Sequence, residues 1–122
     1  IEKANALYIS KRYSEAKSAA VQAISFDSRQ GEPHLLLATI YATVDPYPED
    51  PILNKTKYWA AVDRLQTAKS IEPELAEKAN TLINSYRKFY PSKEEVFFKP
   101  ELAPGAEFTV AGIINETVRC RD

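Results

Sequence analysis

The feature that most constrains this 122-residue chain is an internal echo with two spacings. Ala4 and Leu7 are matched by Ala38 and Tyr41, 34 residues later. Tyr13, Ala16, Ala20, Ala23 and Ser28 are matched by Tyr58, Ala61, Leu65, Ala68 and Pro73, 45 residues later. The difference, 45 − 34 = 11, marks an insertion inside the second unit. Ile83 and Tyr86 then follow Ala38 and Tyr41 by 45 and open a third unit. Units of this kind fold by stacking, because one alone cannot bury its apolar face. Ala16, Ala20 and Ala23 share a helical face on which small side chains let a neighbouring helix come close. Leu7, Tyr41 and Tyr86 are the large residues that fill the space between units. Pro73 cannot continue a helix and closes the second unit.

The insertion, at about 44–54, explains why VDPYPEDPILNKTKYWAAVD places a proline-rich break before a helical pattern. Asp50-Pro51 reads as a helix start, with Asp as the cap and Pro in the first turn. Leu53, Lys57 and Ala61 then share a face, so the second helix of this unit is expected to start about two turns early. Residues 45–49 form the loop, and their prolines reduce the entropy it loses on ordering. The pattern predicts helices over about 1–10, 13–28, 32–43, 51–71 and 74–90.

Beyond Pro91 the helical repeat stops, dividing the chain into 1–91 and a C-terminal segment, 92–122. Ser92 with Glu95 is a capping-box signature, predicting a short helix to about Phe98. Pro100, Pro104 and Gly105 mark a loop and turn. In EFTVAGIINETVRC, the residues Phe108, Val110, Ile114, Val118 and Cys120 share parity and β-branched residues dominate. That predicts strands only after Gly105, as a hairpin turning near Asn115-Glu116. A lone hairpin is marginal in water and must dock. The last helix carries Leu82, Tyr86 and Phe89 with no second helix to cover them. The segment 92–122 is therefore expected to fold back on the helices holding Trp59 and Tyr86, burying Val96, Phe97, Phe98, Phe108, Val110, Ile114 and Val118.

Chemistry-bearing patterns are sparse. The chain holds 16 basic and 17 acidic residues, for a net charge of −1, and neither sign clusters, which removes the electrostatic case for nucleic acid or an anionic membrane. No apolar run approaches the roughly 20 residues of a membrane span. His34 is the only histidine, in the first turn of a helix beside Pro33, and reads as a packing or surface residue rather than a catalytic base. Asp45, Glu49 and Asp50 lack the glycine and distal glutamate of a calcium loop. There is no Gly-rich phosphate loop. Trp59 reads as core, and Cys120, the lone cysteine, as a small buried hydrophobe. No cofactor, metal site or catalytic constellation is expected, and so no enzyme.

The run LLLATIY and the series Ala61, Leu65, Ala68 and Pro73 resemble the tetratricopeptide repeat, whose period is 34 residues. The Trp usual near the start of that unit is absent, and Ser28 stands in place of its usual Pro. The resemblance implies a mainly α chain. It would be an α-α superhelix of about two and a half helix-turn-helix units with a short C-terminal β-hairpin. Its first helices would line a groove for a protein or peptide partner, facing it with Asn5, Tyr8, Leu35, Thr39, Asn80, Asn84 and Arg87. Asn amides suit an extended peptide backbone, and Arg suits a carboxylate. The carboxylate clamp of chaperone-binding members needs Lys, Asn, Asn, Lys and Arg. Ile1, Asn5, Leu36, Glu77 and Thr81 stand at those positions, so the clamp is not expected.

YWAAVD, FYPSKEEVFF and FTVAGIINETVR are similar to the C-terminal region of a group of bacterial tetratricopeptide proteins that enter the cell envelope through an N-terminal signal. The resemblance implies that compartment. It also makes the sequons at Asn54 and Asn115 chance occurrences. The opening on Ile1 inside a helical pattern, with no Met in the chain, points to a piece cut from a longer protein. The function reduces to two readings. In one, the chain binds a partner in the groove or on the insertion. In the other, it is a structural cap of a longer array. An open, polar groove favours the first, and a groove filled by the tail favours the second.

Overall fold

The computed structural model describes residues 1–122 and is mainly helical, with one small antiparallel sheet at the C-terminal end. The helices are α1 (Glu2–Ile9), α2 (Tyr13–Phe26), α3 (Glu32–Thr43), α4 (Pro51–Asn54), α5 (Lys57–Ile71), α6 (Ala76–Arg87) and α7 (Lys93–Phe97). The strands are β1 (Glu107–Val110) and β2 (Glu116–Arg119). The long helices pack in chain order, α1 on α2, α2 on α3, α3 on α5 and α5 on α6.

The turns follow from local chemistry. Lys11 takes a left-handed φ of 64°, and the amides of Lys11 and Arg12 bond back to the carbonyls of Tyr8 and Leu7, which ends α1 and reverses the chain. At Gly31 a Cβ would stand 2.8 Å from the Ala68 carbonyl oxygen, so only glycine lets the α2–α3 turn approach α5. The Gly31 amide donates to the Glu72 carboxylate at 2.6 Å. Ala16, Ala20, Ala61 and Ala68 are fully buried, as the small-residue face requires. α3 and α5 form the centre, where Leu37, Ile40, Tyr41, Trp59 and Leu65 have no exposed surface.

The single helix expected over 51–71 is broken into α4 and α5. Asp50 caps α4 as expected, accepting from the amides of Ile52 and Leu53. The amides of Lys55 and Thr56 then bond three residues back, and the Thr56 hydroxyl donates to the Leu53 carbonyl at 2.6 Å. These tight turns use up the carbonyls of α4 and separate it from α5. The insertion is pinned rather than loose. Asn54 accepts from the Tyr47 amide and donates to Asp45, and the buried Lys57 ammonium reaches the Val44 carbonyl and Asp45.

The C-terminal segment docks on this platform. α7 carries the full capping box, Ser92 and Glu95 bonding each other's backbone amides. Lys55 bonds Glu95 at 2.8 Å and Lys99 bonds Asp50 at 2.6 Å, tying the segment to the insertion. Tyr47 of the insertion packs on Phe108 with ring centres 6.1 Å apart, and its hydroxyl accepts from the Ala111 amide. In the hairpin Phe108 faces Val118 and Val110 faces Glu116. The turn spans residues 111–115, earlier than Asn115-Glu116, with positive φ at Gly112 (72°) and Asn115 (43°). Leu102, Val110, Ile114, Val118 and Cys120 are buried.

The segment does fold back on Trp59, whose indole N–H donates to the Arg121 carbonyl at 3.0 Å. No ring contact or hydrogen bond ties it to Tyr86. That ring packs instead on Tyr58, which also stacks on the half-exposed Phe89. Phe97 and Phe98, expected in the core, are 80% and 71% exposed. The capping box sets the orientation of the short α7, and Val96 on its inner side is half-buried while the two rings point outward.

Candidate functional site

The hairpin does not reach the side of α3 where Leu35 and Leu36 are buried and Thr39 is half-buried. There α1, α3 and α6 bound an open cleft of about 430 Å³. α1 supplies Asn5, Tyr8 and Ile9, α3 supplies Glu32, Leu35, Leu36 and Thr39, and α6 supplies Lys78 and Leu82. Spacings of three and four residues bring each set to one face of its helix. The floor is apolar through Leu35, Leu36 and Leu82, and the rim is polar through Asn5, Glu32, Thr39 and Lys78. Next to the cleft the Tyr8 hydroxyl lies 3.3 Å from the Thr43 hydroxyl. Burial raises the Tyr86 phenol, with Tyr8 and Tyr58 adding to the effect. The cleft can hold an elongated, partly apolar chain of small cross-section, with amide and charged groups at its edge. No titratable cluster suited to catalysis lines it.

Of the residues singled out in the sequence, Asn5, Tyr8, Leu35 and Thr39 line the cleft. Asn80, Asn84 and Arg87 do not. Asn80 turns towards α5, where its carbonyl oxygen accepts from Lys69 at 2.8 Å, and Asn84 and Arg87 are exposed outside the cleft. The rotation of α6 decides this. Ala79 and Ile83 are buried. At about 100° per residue, the positions just before them, Lys78 and Leu82, flank that stripe on the cleft side. Leu82 was the available signal, as an apolar residue beside the Ala79–Ile83 stripe.

On the other side of α3 lies a polar cluster that the sequence did not announce. His34 and Tyr41 of α3 are buried, and Arg64 of α5 and Glu116 of β2 meet them there. Arg64 donates to the Glu116 carboxylate at 2.8 and 3.0 Å and to His34 Nδ1 at 3.1 Å. The Tyr41 hydroxyl donates to the same carboxylate. Burial and this carboxylate push the Tyr41 phenol up. Lys17 of α2 donates to the carbonyls of Ile113 and Ile114 at 2.8 and 2.6 Å, and burial lowers its ammonium. Arg121 completes the seam, bonding Asp63 at 2.8 Å above the Tyr90 ring. No buried side-chain polar atom is left without a partner. Every polar contact in the cluster runs between the helices and the hairpin or between α3 and α5, so it serves to hold the hairpin.

Cys120 is buried and burial pushes its thiol up, away from the reactive thiolate. No helix is long and apolar enough to cross a membrane. Comparisons with protein-family models, curated proteins and solved structures find no match to this chain.

Proposed function

We propose that this chain is a non-enzymatic protein-binding module of the tetratricopeptide type, holding a segment of a partner protein in the cleft between α1, α3 and α6. The observation that carries the reading is the position of the tail, which docks on α5 and the insertion and leaves the cleft open. The apolar floor supplies anchoring area, and the Asn5 amide and Lys78 ammonium stand ready for backbone and carboxylate groups. The insertion is the weaker candidate surface, because Tyr47, Asp50 and Lys55 are already engaged with the tail. The bacterial cell envelope, implied by the resemblance, belongs to the same proposal.

The second reading, a cap of a longer array, draws on the outer face of the α1–α2 pair. A shallow hollow of about 250 Å³ there keeps Leu7 and Ala19 only half-buried.

The test is a displayed-peptide selection against the whole chain, followed by fluorescence anisotropy on the selected peptides. Leu82→Glu should weaken binding at least about tenfold, or about 1.4 kcal/mol, while Phe97→Ser on a remote surface leaves it unchanged. Equal binding by Leu82→Glu, or no selected ligand, overturns the cleft as the site.

A further inference from the structure

The polar cluster behind α3 does more than fill space. A guanidinium has only donors, so the 3.1 Å contact from Arg64 Nη1 requires His34 Nδ1 to be an unprotonated acceptor. A proton placed there replaces an acceptor with a second donor and a second positive charge facing Arg64. Of the charged groups near His34, Arg64 opposes that charge more than Glu116 favours it. Lys17 comes from α2, Arg64 from α5 and Glu116 from β2, while Tyr41 of the same helix is a neutral phenol. Asp63, the next acid on α5, is held by Arg121. Glu116 is thus the facing anion, and it is already shared between Arg64 and Tyr41.

Arg64 is also the link from α5 to the hairpin, since the guanidinium that bonds His34 bonds Glu116 of β2. Repelling it from His34 disturbs the ion pair that holds β2. With the hairpin released, His34 and Arg64 would both reach water.

We propose that His34, Arg64 and Glu116 form an acid-sensitive latch that releases the C-terminal hairpin from the helices when His34 takes up a proton. Burial, followed by the Arg64 charge, lowers the His34 imidazole below its ordinary 6.5, against the smaller opposing pull of Glu116. A depressed folded value means that the latch is at full strength above 6.5. It weakens as pH falls from there towards the folded value. Across that window the opening equilibrium grows by up to about tenfold per pH unit for one proton.

The chain's single histidine makes the test direct. NMR of the whole chain gives the His34 ring titration, and site-resolved amide exchange between pH 7 and 5 follows release. The Cys120 amide, bonded to the Ala106 carbonyl, and the Trp59 indole N–H report the hairpin, and the amides of α3 and α5 report the helices. The expected result is a His34 midpoint below 6.5 and loss of hairpin protection on acidification while the helices stay protected. His34→Gln, which keeps a neutral acceptor, should flatten that pH dependence. A His34 midpoint at or above 6.5 overturns the latch. So does opening of hairpin and helices together, or an unchanged pH dependence in His34→Gln. If the variant fails to fold, the wild-type titration and exchange decide alone.

Discussion

The two sides of α3 are solved in opposite ways. Towards the hairpin, His34 and Tyr41 are enclosed by Arg64, Glu116 and Lys17, and every buried polar side-chain atom is bonded. Towards the cleft, Leu35, Leu36 and Thr39 line a space shared with residues of α1 and α6, and that space stays open. Buried polar groups without partners are costly, so a covered face needs a network that closes on itself. An open face can leave its amides and charges to water, and so keeps them available to a partner. The contrast assigns holding the chain together to one side and leaves the other free for the recognition proposed above.

Deleting residues 92–122 should have the largest effect. It strips Leu102, Val110, Ile114 and Val118 from the core and uncovers Trp59. At about 1.5–3 kcal/mol per side chain the loss is at most about 6–12 kcal/mol, a large share of a small domain's stability. The truncated chain should keep its helical circular dichroism but unfold at a markedly lower temperature and scatter light. A monomer with the intact melting temperature would mean that the hairpin side is not a covered core.

Glu116→Ala tests the network itself. It leaves the half-buried Arg64 and the Tyr41 hydroxyl without their acceptor, for an expected loss of about 1.5–3 kcal/mol in urea unfolding. A loss below about 0.5 kcal/mol would place the docking energy in the apolar contacts alone.

Ala61→Leu should cost about 1–3 kcal/mol by overpacking the fully buried α5 surface. An unchanged denaturation midpoint would remove the small-residue face as the reason α5 sits where it does. Phe97→Ser should stay within about 0.5 kcal/mol, since the ring is 80% exposed. A clear destabilisation there would show that the outer surface of the tail is covered in solution, and would weaken the contrast between the two sides.

Much of the helical part was legible because its signals are local. The 34- and 45-residue echoes, the Asp50 cap, the Ser92–Glu95 box and the parity of Val110, Val118 and Cys120 each depend on a few neighbouring residues. The break at Lys55-Thr56 was not legible, since it turns on the Thr56 hydroxyl taking the Leu53 carbonyl rather than on helix propensity. Phe97 and Phe98 misled because hydrophobicity alone does not say which side of a short helix meets the core. In the cleft, Asn5, Tyr8, Leu35 and Thr39 stand where the tetratricopeptide resemblance implied a groove, whereas Asn80, Asn84 and Arg87 do not line it, because helix rotation carries Asn80 away from Lys78 and Leu82.

The sequence by itself determined the helix-turn-helix spacing, the alanine faces and the hairpin-forming end, because periodicity and capping are properties of adjacent residues. Only the tertiary structure decided which side the hairpin would cover. It also paired residues as distant as Lys17 with Ile114, and Arg64 with both His34 and Glu116. The 11-residue insertion shows the same division. Its prolines announced a loop, but its role as the seat of the tail rests on contacts of Tyr47, Asp50 and Lys55 with residues 40 or more positions away. Such contacts leave no periodic trace in the chain. They form where loop closure is repaid by burial and by satisfied charges, and that balance exists only once the helices are packed.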